Sequence, residues 1–109
     1  MRSMSDDKTV LTESEVAEEQ LVAWTYDATD GGSLGARFDT GDFATGLRLV
    51  NSIGELAEAE NHHPDLELTY PAVGVRLTSH DAGGVTARDV RMARSITERA
   101  AAEKALPQD

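Results

Sequence analysis

At 109 residues the chain is long enough for one domain, and a domain of this size hides roughly 60 to 70% of the surface that its unfolded chain exposes. It has no cysteine, which excludes disulfides, thiolate metal sites and cysteine nucleophiles. Twenty acidic against ten basic residues give a formal charge of -10, with the basic residues scattered and forming no stripe, so neither nucleic acid nor an anionic membrane surface is an expected partner.

No apolar run approaches the ~20 residues of a bilayer span. Residues 1–7 lack the apolar segment of a signal peptide, and the expected location is the cytoplasm. Residues 1–10 and 105–109 read as flexible tails around a domain at 11–104.

The first element is a short helix after Thr12, where Thr12 and Glu15 have the spacing of a capping box. From Val22 the apolar period becomes two, with Val22, Trp24 and Tyr26 on one face. Asp30-Gly31-Gly32 supplies a turn, and Leu34, Ala36 and Phe38 resume the alternation as a hairpin. Phe43, Leu47, Val50, Gly54 and Ala57, joined by Leu49, Ile53 and Leu56, recur at helical spacing up to Asn61.

A second hairpin follows. Leu66, Leu68 and Tyr70 alternate on one face, as do Val73, Val75 and Leu77. A symmetric turn at Pro71-Ala72 pairs Tyr70 with Val73, Leu68 with Val75 and Leu66 with Leu77. Continuing that register sets His63 opposite His80, with His62 nearby but aimed differently. Pro64 favours extended geometry at His63, making it the expected start of the strand. A last helix begins at Thr86, where Thr86 and Asp89 form a second capping box, and Val90, Ala93, Ile96, Thr97, Ala100 and Ala101 make its apolar stripe. The pattern α-β-β-α-β-β-α implies an α+β two-layer sandwich, a four-stranded antiparallel sheet with helices on one face, and histidines on the open face.

All three histidines, His62, His63 and His80, fall in one nineteen-residue stretch. A free imidazole titrates near ~6.5, so acid and base chemistry at neutral pH belongs here. Three histidines with Glu60, Asp65 or Asp81 would also suit zinc, but no H-x-x-x-H or H-E-x-x-H spacing aims two imidazoles at one ion from a helix. Other marked residues have plainer readings beside the functional one. Asp89 serves equally as a helix cap, Trp24 as a core residue, Glu58 as a solvated helix end, and Gly83-Gly84 as a turn, since no lysine-serine or lysine-threonine pair follows to make a phosphate cradle.

Glu58, Asn61-His62-His63-Pro64-Asp65, Tyr70, Val73, Ser79-His80-Asp81, Gly83-Gly84-Val85-Thr86 and Asp89 together resemble the signature of the pterin-4a-carbinolamine dehydratases. The resemblance runs from about Leu11 to about Ala100, with Trp24, Phe38, Asp42 and Phe43 at matching upstream positions. Thr40, Pro71 and Ser79 depart from residues common in the family, and none of these touches a histidine. The resemblance implies a metal-free, cofactor-free dehydratase acting on a 4a-hydroxytetrahydropterin, with His62 and His80 flanking the pterin and His63 positioning it or sharing the proton work. It implies contacts to substrate from Glu58, Pro64, Ser79, Asp81, Ala82, Asp89 and Trp24. The alternative is a partner-binding or assembly factor on the same fold. A homo-oligomer, dimer or tetramer, is expected because an open sheet leaves edges that can pair.

Overall fold

The computed structural model describes residues 8–108. The expected N-terminal tail lies mostly outside them.

Three helices and five strands alternate among these residues. Helix α1 spans Glu13–Glu18, strand β1 Thr25–Asp27, β2 Ser33–Asp39, helix α2 Phe43–Glu60, β3 Asp65–Thr69, β4 Ala72–Leu77, helix α3 Ala87–Ala102, and β5 Leu106–Pro107. The sheet is antiparallel in the order β1-β2-β4-β3, and β5 pairs with β2 beyond the end of β1. The α+β reading holds, with the helices packed on one face.

Capping sets the helix starts. The Thr12 hydroxyl accepts the Glu15 amide at 3.1 Å while the Glu15 carboxylate accepts the Thr12 amide at 2.8 Å, and Asp42 accepts the Thr45 amide at 2.7 Å. In α2 the buried positions are Thr45, Gly46, Leu49, Ile53, Leu56 and Ala57. Phe43 and Leu47, expected on the same apolar stripe, lie half exposed on a neighbouring face. Gly46 permits a close approach: a Cβ there would lie 2.7 Å from Leu68 Cδ1, so α2 settles directly on the sheet.

The middle strands carry the core. Leu34 and Phe38 of β2, Val73, Val75 and Leu77 of β4, and Ile96 and Ala100 of α3 are all buried. Apart from Ala100, side chains of this size contribute about 1.5–3 kcal/mol each when removed from water, so the β2–β4 seam under α3 anchors the domain. Met92 joins the α3 face, whereas Ala101, expected in its stripe, is exposed.

Three expectations need correction. Strand β1 begins at Thr25, because positive φ angles at Gln20 and Ala23 break the extended run, and Val22 is left in solvent. The two-residue turn of the second hairpin is Tyr70-Pro71, joined by a cis peptide, and not Pro71-Ala72. Leu68 therefore faces Val73, and Leu66 faces Val75. A shift of two preserves which side each row occupies, so the apolar faces still coincide, but His63 is not carried opposite His80. Finally, residues expected to fray at the C-terminus instead return to the sheet: Ala105 is buried, and Leu106 and Pro107 pair with Asp39 and Phe38.

Candidate active site

Helix α2 stops at Asn61, whose left-handed backbone (φ 52°, ψ 43°) suits asparagine better than most residues. The His62 amide bonds back to the Ala57 carbonyl at 3.1 Å, the wide closing bond of a Schellman-type terminus. That turn swings His62 inward. Its side chain is only 11% exposed, and Nε2 lies 2.6 Å from Asp89 Oδ1.

Asp89 sits in the first turn of α3 and is fully buried. Its Oδ2 accepts the Thr86 amide at 2.9 Å and the Ser79 hydroxyl at 2.8 Å. Asp89 thus caps α3 through Oδ2 and meets His62 through Oδ1. The hydroxyl directions follow by elimination. Ser79 donates its one proton to Asp89, so the Thr86 hydroxyl, 2.9 Å away, donates to Ser79. Thr86 in turn accepts from the Arg88 amide at 3.3 Å and from Arg88 Nε at 3.4 Å. Bonds therefore run one way from Arg88 through Thr86 and Ser79 to Asp89, where His62 completes a set of three donors. Accepting all three, Asp89 holds the His62 proton on Nε2, and His62 Nδ1 has no hydrogen-bond partner among the described residues.

His63 lies outside β3, which starts at Asp65, and points outward, with Nε2 2.5 Å from Glu58 Oε2. Both members are exposed, and Pro64 between His63 and β3 is half-buried.

His80 occupies a loop closed by the Ser79–Gly84 bridge, in which the Ser79 carbonyl accepts the amides of Ala82, Gly83 and Gly84. Ser79 and Ala82 thus use their backbone amides within the loop, while the His80 amide has no partner among the described residues. His80 lines a cleft of about 270 Å³ with Asp30, Arg76 and Thr78. A glycine contact shapes one wall: a Cβ on Gly31 would lie 2.3 Å from the Gly83 carbonyl oxygen, so the β1–β2 turn presses on the His80 loop. Asp81 pairs with Arg88 at 2.7 and 3.3 Å, and those hydrogen bonds hold its carboxyl below the ordinary aspartate value.

The candidate residues therefore gather at the end of the sandwich where α2 stops and α3 starts, with the His80 cleft sharing Ser33 and Arg76 with the open sheet face. A larger hollow there, about 680 Å³, includes none of the three histidines. Trp24 lies elsewhere: its indole N–H donates to Thr97 on α3 at 2.9 Å and its ring meets Phe38 edge-on at 6.3 Å. Thr86 and Arg88 were not picked out as site residues. Thr86 was marked by the capping spacing with Asp89 and by the family signature, whereas Arg88 carried no signal of its own. Among the described residues, no three His, Cys, Asp or Glu side chains gather to hold a metal ion, and no helix is long and apolar enough to cross a membrane.

The fold and these contacts define an α+β protein carrying a histidine bonded to a buried carboxylate, with two further histidines in the segments that follow α2 and precede α3. Comparison with known proteins gives that class its place. The sequence pattern of the Pterin 4 alpha carbinolamine dehydratase family matches residues 9–99. A provisionally named pterin-4-alpha-carbinolamine dehydratase of Aquifex aeolicus is 43% identical over 90 residues, covering 81% of this chain and 88% of that protein. One from Sulfurisphaera tokodaii, also provisionally named, is 38% identical over 90 residues, covering 81% and 94%. Among solved structures, a transcriptional coactivator/pterin dehydratase from Brucella melitensis superposes with a TM-score of 0.78 at 32% identity, covering 84% of this chain and 99% of that one. A pterin dehydratase-like protein identified as a RuBisCO assembly factor in the alpha-carboxysome gives 0.61 at 19% identity, covering 72% and 89%, a likeness of fold. The chain belongs to the pterin 4 alpha carbinolamine dehydratase family.

Proposed function

We propose that the protein dehydrates 4a-hydroxytetrahydropterins to quinonoid dihydropterins by histidine acid–base catalysis. The reaction breaks the C4a–O bond after a proton reaches the leaving hydroxyl. A second proton leaves the adjacent ring nitrogen as the C=N bond forms, and no redox change occurs. Two imidazoles can divide these transfers, each positioned acid or base contributing typically ~10² to 10⁴-fold.

The observation that carries this reading is the His62–Asp89 bond of 2.6 Å, between a fully buried carboxylate and an imidazole that keeps 11% of its side chain exposed. Fixing Nε2 with a carboxylate leaves Nδ1 to exchange a proton with substrate, the arrangement by which an orienting acid makes a histidine a directed catalyst. His80 supplies the second imidazole, with both ring nitrogens unpartnered among the described residues, and His63, backed by Glu58, shares the proton work or positions the ring. Pro64, Asp81 and Ala82 border these groups. A role for Trp24 in substrate contact is weakened by its bond to Thr97.

A partner-binding role is the second reading, favoured by the fold likeness to the RuBisCO assembly factor. A scaffold has no need of an oriented histidine, and on that ground the enzyme reading stands first. The protein is expected to work in the cytoplasm, and β3, an edge of the sheet among the described residues, supports a homo-oligomer. Light scattering that showed a monomer at micromolar concentration would remove that last inference.

Stopped-flow ultraviolet absorbance, following decay of chemically generated 4a-hydroxytetrahydropterin with chelator-treated protein, tests the function. Acceleration by the native chain that is mostly lost in His62→Ala and His80→Ala supports it. Full activity in both variants would overturn the residue assignment, and no acceleration by folded native protein would favour the partner-binding role.

A further inference from the structure

His80 stands between two anchored neighbours. Ser79, before it, is buried and donates to Asp89, while Asp81, after it, is gripped from the surface by Arg88. Both anchors reach the same place, the first turn of α3, where Thr86, Arg88 and Asp89 lie within four residues. Asp89 also holds His62. Two imidazoles brought from segments eighteen residues apart in sequence are thus referenced to one helical turn.

The Arg88 grip has a form that controls direction as well as distance. Its Nη2 lies 2.7 Å from Asp81 Oδ1, and Nη1 lies 3.3 Å from Oδ2, so the guanidinium fork meets the carboxylate with both arms. Nε of the same group reaches Thr86 Oγ1 at 3.4 Å, tying the fork to the buried hydroxyl chain. Asp81 is half exposed and Arg88 about a quarter exposed. Exposed pairs add little to global stability. What this one does is local: without it, the Ser79 hydroxyl is the side-chain tie left between the tip of the His80 loop and the first turn of α3.

We propose that Arg88 is a positioning residue for the dehydration, acting through Asp81 to fix the His80-bearing tip of the 79–84 loop relative to His62. The proposal rests on the dehydratase reading of the site. Arg88 does not touch the reacting atoms in this account, and its effect passes entirely through His80. Displacing a reacting group by about 1 Å can cost on the order of 10²-fold, so losing one of two loop anchors is expected to lower kcat by about 10- to 100-fold.

The test is a mutant cycle with two readouts. Arg88→Gln and Asp81→Asn are each made in the native chain and in the His80→Ala background. Asp81→Asn removes the clamp at an exposed position and leaves the Arg88–Thr86 contact, so it serves even if Arg88→Gln folds poorly. In the native background each single variant and the double variant should lose kcat to the same extent. In the His80→Ala background neither should cost more than about twofold further, because coupled residues fail to add. Nitrogen-15 NMR of the imidazoles gives the second readout: His80 and the amides of 79–84 shift or broaden in both variants, while α3 beyond its first turn stays unchanged. Losses that add to that of His80→Ala, or a His80 signal that is unmoved in both variants, would overturn the proposal. If the native chain does not dehydrate the pterin at all, the dehydratase reading fails, and the NMR readout alone decides whether Arg88 sets the His80 loop.

Discussion

Replacing Asp89 by asparagine keeps the shape of the side chain, and the hydrogen-bond pattern dictates how the new amide must lie. Oδ2 receives two donors, the Thr86 amide and the Ser79 hydroxyl, so only the amide oxygen can take that place. The NH2 group is then set against His62 Nε2, where the native distance is 2.6 Å. His62 has to offer a lone pair at Nε2 and carry its proton on Nδ1, the reverse of the native tautomer. Exchanging charge-assisted for neutral hydrogen bonds costs about 1–2 kcal/mol, and losing an acidic group from the first turn of α3 costs about 0.3–1 kcal/mol more. Together these lower Tm by roughly 5–15 °C in a domain of this size, leaving it folded at room temperature. Catalysis suffers more, because a histidine in the wrong tautomer is not a directed base, and kcat should fall ~10²- to 10⁴-fold. Stopped-flow absorbance gives the rate, calorimetry the Tm, and long-range nitrogen-15 correlations the tautomer of His62. An unchanged tautomer with kcat within about threefold of native would refute the claim that Asp89 orients His62 for the chemistry.

Three further outcomes follow from other contacts. Glu58→Gln breaks an exposed pair with His63, so Tm should move by less than about 2 °C and kcat by no more than about tenfold, measured by calorimetry and the same rate assay; a larger thermal loss would mean that the pair is structural. Gly31→Ala places a methyl 2.3 Å from the Gly83 carbonyl at a φ of +92°. It should destabilise by about 2 kcal/mol or more and lower activity through the His80 loop, whereas a native-like melt would show that the two turns part easily. Asp81 has its carboxyl held below 3.8 by Arg88, so its contribution to stability is fully present above that value and is lost as pH falls through the lower, folded-state value. Melts between about pH 7 and pH 2 should therefore show native protein and Arg88→Gln converging at the acid end, and parallel curves would discount the pair.

How far the sequence could be read depended on whether a feature was local. Both capping boxes were legible because a cap is a contact between residues three apart, and Thr12–Glu15 and Thr86–Asp89 form as spaced. The alternation of β2, β3 and β4 was legible for the same reason. The register of the second hairpin was not, since Tyr70-Pro71 and Pro71-Ala72 both keep the apolar rows on one side, and only the turn itself separates them. In α2, apolar residues cover more than one face, and periodicity alone does not choose Leu49 and Ile53 over Phe43 and Leu47 as the buried set. The pairing of Leu106 and Pro107 with β2 spans most of the chain and leaves no local mark. Among the candidate residues, the histidines stood out by residue type, Asp89 by its capping distance from Thr86, and Glu58 by its match to the family signature. Which of them meet did not: His63 pairs with Glu58, and His62 pairs with Asp89 across 27 positions.

The hydroxyl chain beneath α3 has a bearing on how this protein can be altered. Asp89 satisfies a helix end with one oxygen and orients a histidine with the other, while Ser79 and Thr86 join the same buried ring of bonds. A substitution made there to tune reactivity will register as a change in melting temperature, and one made to raise melting temperature will register at the histidine. Directed evolution that screens for thermal tolerance should thus leave these three positions untouched and collect its gains on the far faces of α2 and α3, where no atom answers to both demands.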